Sequence, residues 1–140
     1  MKYFELTEKD EEILGRAVDA SSRLYVSGIQ EVGAAVQTSS GQIFSGIHFN
    51  TASPFATICG EISAICCMVS AGQRDLLTVA AVWRSEVGKH FLLPPCGRCR
   101  AVIRDFNAEA WVIVSMVEDN WDESAIAKPG KVRIADLLPL

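Results

Sequence analysis

Two separated thiol-bearing segments, Cys59-Gly60-Glu61 and Pro95-Cys96-Gly97-Arg98-Cys99, restrict the fold of this chain more than any other feature. Their pattern is that of a zinc site with three protein ligands. Structural zinc usually takes four, whereas catalytic zinc keeps one position for water. The fold must therefore bring Cys59 to the Cys96–Cys99 pair and set Glu61 beside the metal, where a carboxylate can move protons. A Cys-x-x-Cys at a helix start turns both sulfurs toward one point about one turn apart. The positive end of the helix dipole also favours thiolates. Cys59 and Glu61 are expected to open one helix, and Cys96 and Cys99 the next. Three thiolates on Zn2+ leave one negative charge, which both dipoles, with Arg98 or Arg100, would soften.

A metal held by three thiolates is a weaker Lewis acid than one held by imidazoles, so activating water needs a nearby base. Glu61, two residues after Cys59, is placed to take a proton from that water and then to deliver protons to a ring nitrogen and a leaving amine. The products are a carbonyl compound and ammonia. A lone Cys-x-x-Cys would read equally well as a redox pair or half of a structural zinc knuckle. Cys59-x-Glu61 upstream and Pro95 alongside favour the catalytic reading. The alternative from another class is a non-catalytic, zinc-stabilised binding domain, against which the retained Glu61 argues.

The surrounding sequence predicts an α/β scaffold. Thr7 caps a first helix that carries Ile13, Leu14, Ala17, Val18 and Leu24 at helical spacing. Val32 to Thr38 reads as a buried strand, Ser39 to Gln42 as a turn, and Ile43 to Phe49 as the partner strand of a hairpin. Thr57 to Ala71 has helical length and closes at Gly72. Leu77 to Trp83 reads as a strand. Phe91-Leu92-Leu93 runs into Pro94-Pro95, which stops whatever precedes it. A third helix over Cys96 to Phe106 is followed by a strand over Ala110 to Val117, a polar loop from Asn120 to Gly130, and a short strand or helix from Val132 to Leu138. Alternating strands and helices favour a layered α/β domain with helices covering a mixed sheet.

At 140 residues the chain fits one domain, residues 1–140, with enough length for a core. A net charge of −4 with scattered Lys and Arg gives no polynucleotide footprint, which leaves a small molecule as the expected partner. The N-terminus reads as neither signal peptide nor membrane span. With five cysteines, an odd number, a reducing, cytoplasmic setting is expected. Cys66 lies about 10 Å along the helix from Cys59, too far to share its metal. It and Cys67 read as small buried apolar residues. His90 reads as a surface or packing residue, and Trp83, Trp111 and Trp121 as core or subunit-interface residues.

The zinc motif matches the histidine-or-cysteine, Glu, Pro-Cys-x-x-Cys signature of zinc deaminases, with cysteine at the first position. With Val32-Gly33-Ala34-Ala35, Pro95-Cys96-Gly97-Arg98-Cys99-Arg100 and Leu137-Leu138-Pro139 in the same order, most of the chain resembles the cytidine deaminase family. Within it, the Pro-Cys-Gly-Arg-Cys-Arg run and Ile47-His48 are most similar to the blasticidin-S deaminase branch. The resemblance implies a three-layer α/β/α domain, Zn2+ on Cys59, Cys96 and Cys99, and Glu61 as proton shuttle. It also implies a homotetramer acting on a free cytosine-type nucleoside or nucleoside-like compound, with blasticidin S or another aminopyrimidine metabolite as the alternative substrate. The Gly60 N–H would hold the base carbonyl. His48 and Asn50 would face the sugar, standing where family members carry an Asn-x-Glu pair. Gln30 stands where the family usually has an aromatic residue, and Ile62 where it has an arginine.

Overall fold

The computed structural model describes residues 2–116, 126 and 128–138. Helix α1 spans Glu8–Arg23 and opens on a capping box. The Thr7 hydroxyl accepts from the Asp10 N–H at 3.2 Å, and the Asp10 carboxylate accepts from the Thr7 N–H at 2.9 Å. The same carboxylate meets Lys131 Nζ at 2.7 Å, which ties the helix start to the far edge of the sheet. Ile13, Leu14, Ala17 and Ala20 form its buried face, as their spacing predicts.

Strands β1 (Val32–Thr38) and β2 (Ile43–Ile47) make the expected hairpin, with Gly33 opposite Ile47 and Gln37 opposite Ile43. Helix α2 (Gly60–Ser70) leads to β3 (Leu76–Arg84), and a short strand β4 (His90–Leu92) folds back on β3. Helix α3 (Gly97–Phe106), β5 (Trp111–Ser115), β6 (Pro129–Arg133) and a 3-10 turn over Ile134–Leu137 complete the order. The sheet runs β2-β1-β3-β5-β6, with β4 also paired to β3. Among the described residues only β3 and β5 pair in parallel, through Thr78–Trp111 and Val79–Val112, so the sheet is mixed.

Strand alternation divides the core into two layers. Ala35, Ala80, Val82 and Ile113 face Ile13, Leu14 and Ala17 of α1. Ala34, Val36, Val79, Ala81, Val112 and Val114 face Ala64, Ile65 and Met68 of α2 and Ile103 of α3. The architecture is α/β/α, with α1 on one face and α2 and α3 on the other. Gly46 permits the close seat of α2 on β2, because a Cβ there would lie 2.4 Å from Ala64 N.

The structure departs from the sequence reading in several places. The second helix begins at Gly60, because Ile58 is engaged in a bridge with Phe49. A 3-10 turn over Pro54–Ala56 precedes it, and β4 occupies the run before the two prolines. The tail is both strand and 3-10 turn. Cys66 and Cys67 are exposed, not buried. The inward face of α2 is taken by Gly60, Glu61, Ala64, Ile65 and Met68, so both thiols fall on the outer side. Trp83 and Trp111 are half-buried, Trp83 stacked on Phe91 and Trp111 edge-on to Phe4. Trp121, Pro139 and most of the 120–130 loop lie outside the described residues.

Candidate active site

The site forms where the N-termini of α2 and α3 meet above one face of the sheet. Cys59 is the N-cap of α2 and Cys96 the N-cap of α3, both with extended backbone. Cys99 sits buried in the first turn of α3. The three sulfurs lie within 4.8 Å of one another, with Cys59 and Cys96 at 3.6 Å. Among the described residues this is the one group of three or more His, Cys, Asp or Glu side chains so arranged.

The thiols do not share one proton affinity. Burial and the charge of Glu61 push Cys99 far up. Burial also raises Cys96, but hydrogen bonds from Cys99 and Cys59 outweigh it and hold Cys96 below the ordinary thiol value. Without a cation, sulfurs this close cannot all ionise. A soft divalent metal with tetrahedral preference resolves the conflict, so the donor set fits Zn2+.

Glu61 is 5% exposed, and burial raises its carboxyl above the usual range. It lies on the wall of a cleft of about 170 Å³ that is also lined by Val32, His48, Thr57, Cys59 and Cys96. Gly60 belongs to the same wall. As the first helical residue its N–H has no acceptor within the helix. A side chain there would press on the Val32 carbonyl, which a Cβ would approach to 2.8 Å.

Comparison with known proteins agrees with this geometry. Residues 7–115 match the family model described as the cytidine and deoxycytidylate deaminase zinc-binding region. The chain belongs to this deaminase family. It is 33% identical to the blasticidin-S deaminase of Bacillus cereus over 144 aligned positions, covering 100% of this chain and 96% of the relative. The cytidine deaminase of Mycobacterium tuberculosis is 30% identical, over 89% of this chain and 83% of its own. A crystal structure of cytidine deaminase from Burkholderia pseudomallei superposes with a TM-score of 0.73 at 25% identity, covering 96% and 98% of the two chains.

The two arginines of the deaminase motif have separate environments. Arg98 Nη2 donates to Cys59 Sγ at 3.3 Å and to the Thr57 carbonyl at 2.8 Å. The hydrogen bond to Cys59, with its charge, raises the guanidinium further. Arg100 turns away from the sulfurs. Its Nε donates to the Pro95 carbonyl and its Nη1 to the Leu137 carbonyl, both at 2.7 Å. It therefore ties the C-terminal turn to the loop that carries Cys96.

His48 lines the cleft and Asn50 does not. Gln30 is also absent from the lining. Its side-chain amide donates to the Leu24 carbonyl at 2.9 Å. The sequence reading did not single out Val32, Thr57, Leu93 or Pro94 as cleft residues. The available signal was the Pro94-Pro95 pair, of which Pro95 counts in the zinc motif while Pro94 reads from sequence as a chain stop.

Proposed function

We propose that this protein is a zinc-dependent hydrolytic deaminase of a free cytosine-type nucleoside or nucleoside-like compound, and that it releases ammonia. Cys59, Cys96 and Cys99 hold the zinc, and Glu61 carries the protons. The reading rests on one observation above the rest: a buried carboxyl, Glu61, shares a cleft wall with Cys59 and Cys96, two of three converging thiols. When bound, zinc supplies the Lewis acidity that makes water a nucleophile near neutral pH.

The chain's own residues do the rest. Glu61 accepts one proton of the attacking water and gives it to the ring nitrogen, then takes the second from the hydroxyl added to the ring carbon and gives it to the departing amine. Its burial suits both roles, because a carboxyl raised above its ordinary range can hold a proton and still release it. The Gly60 N–H is placed to donate to the base carbonyl. Arg98 offsets thiolate charge from the position next to Cys59, a service that Ile62 cannot give. Val32, Leu93 and Pro94 supply an apolar wall that keeps bulk water from the ring.

The full-length similarity to a blasticidin-S deaminase makes blasticidin S the first compound to test beside cytidine. A binding module without chemistry would have no use for Glu61. The unpaired thiols suit a reducing cytoplasm. Exposed Ile29, Phe49 and Phe55 support association of copies into a homotetramer. No helix among the described residues is long and apolar enough to cross a membrane.

The test is ammonia release from a panel of cytidine, deoxycytidine, cytosine and blasticidin S. Glu61→Ala is expected to keep its zinc and lose at least about 10²-fold in kcat. Full activity in a zinc-loaded Glu61→Ala protein would remove the mechanism.

A further inference from the structure

Of the three converging thiols, Cys96 alone is exposed. As the N-cap of α3 it makes no side-chain cap hydrogen bond, so neither packing nor a cap places it. The loop before it is poor in backbone anchors. The Leu93 N–H donates to the Ala81 carbonyl at 3.0 Å, but Pro94 and Pro95 have no N–H to donate. Arg100 takes over from there. Its Nε donates to the Pro95 carbonyl at 2.7 Å, and its backbone N–H to the Cys96 carbonyl at 2.9 Å. One residue thus holds the peptide units on both sides of Cys96. The proline ring fixes φ at Pro95, so holding its carbonyl fixes the remaining soft dihedral and the direction in which Cys96 leaves the loop.

The guanidinium is itself anchored from a distant segment. Its Nη1 donates to the Leu137 carbonyl at 2.7 Å. Leu137 belongs to the 3-10 turn over Ile134–Leu137, where Ile134 is fully buried and donates its N–H to the Ala110 carbonyl at 2.8 Å. Leu137 and Leu138 pack on the core cluster that holds Ile103 of α3. We propose that Arg100 is a positioning residue for Cys96, and that it couples retention of zinc to docking of the 134–138 turn. The proposal rests on the reading of Cys59, Cys96 and Cys99 as the metal ligands. An arginine suits the task because its planar group carries N–H donors in fixed directions, so two carbonyls on separate segments hold it rigid. A lysine ammonium carries the same charge without that geometry. Groups that orient a ligand without touching the metal commonly set metal affinity by about 10–100-fold. Such coupling is reciprocal: if the docked turn favours zinc, bound zinc favours the docked turn by the same factor. Arg98 has a different part, since its bonds run to Cys59 Sγ and the Thr57 carbonyl.

The test uses the zinc-loaded chain, with zinc transfer to a chromogenic chelator and amide hydrogen exchange as readouts. Arg100→Gln is expected to release zinc about 10–100-fold faster than wild type. Arg100→Lys is expected to follow it, because geometry and not charge holds Cys96; release at the wild-type rate in Arg100→Lys overturns the proposal. In wild type, the amides of residues 134–138 are expected to exchange at least about fivefold more slowly with zinc bound than after its removal. That zinc dependence is expected to persist in Arg98→Gln and to vanish in Arg100→Gln. A purely structural Arg100 would instead change exchange of the turn equally in both metal states. Wild-type exchange that ignores zinc overturns the proposal without any variant. A chain that takes up no zinc removes the metal reading and the proposal with it, whereas a zinc-loaded chain that fails the exchange test removes the proposal alone.

Discussion

Gly46→Ala tests how tightly the scaffold governs the site. A Cβ on Gly46 would lie 2.4 Å from Ala64 N, 2.6 Å from Ser63 Oγ and 2.7 Å from Ser63 C. Two of these three atoms are helix backbone, so rotating a side chain does not relieve the clash. Restoring ordinary contact requires α2 to move off β2 by about 1 Å. Over-packing of this kind costs about 1–3 kcal/mol. At about 2.1 cal/mol/K per residue, the unfolding entropy of 140 residues turns that into a Tm drop of roughly 3–10 °C. The displacement also reaches Cys59, Gly60 and Glu61 at the start of the same helix, and a shift of about 1 Å at a reacting group can cost on the order of 10² in rate.

Thermal unfolding and ammonia release read the two effects separately. Gly15→Ala is the control, because its new Cβ would meet nothing within 4 Å on an exposed turn of α1. It is expected to stabilise by about 0.5–1 kcal/mol through backbone entropy. A Gly46→Ala protein that melts with wild type and turns over normally would refute the close seating of α2. So would a Gly15→Ala protein destabilised as much as Gly46→Ala.

Other predictions concern charge and metal. Arg98→Gln is expected to speed zinc loss to a chelator by removing the donor to Cys59, with little change in Tm. Arg100→Gln is expected to lower Tm as well, because it frees both the Pro95 and Leu137 carbonyls; equal profiles for the two variants would argue against separate roles. Lys131→Met leaves Asp10, 3% exposed, without its ion-pair partner and is expected to cost about 3 kcal/mol in denaturant unfolding, partly restored by Asp10→Asn. Burial and the charge of Arg84 hold His90 below its ordinary value of 6.5. The unfolded chain therefore binds the extra proton first as pH falls, so the His90 contribution is whole above about 6.5 and is lost below it. His90→Gln is expected to flatten the fall in stability between about pH 7 and 5.5; an unaltered slope would refute the assignment.

Local sequence carried much of this protein. Thr7 with Asp10 specified a cap, the period of Ile13, Leu14 and Ala17 specified a buried helical face, and the apolar run from Val32 to Val36 specified a buried strand. These signals act over one or two turns of chain, so they are legible without neighbours. The thiol motif was equally local in its parts, and its chemistry required that the parts meet. Residues whose role depends on distant partners were not legible. Cys66 and Cys67 are as apolar as core residues, but the sheet chose the other face of α2. Nothing near Arg98 or Arg100 in the chain told which would reach Cys59 and which would reach Leu137. His48 and Asn50 are two residues apart, yet their hydrogen bonds run to Gly28, Glu31 and Val32 on another segment. The sequence alone determined the chemistry, because metal ligation and proton transfer depend on residue type. Tertiary structure decided the assignment of roles around that chemistry, because hydrogen bonds and burial depend on which surfaces the packed layers bring within about 3 Å.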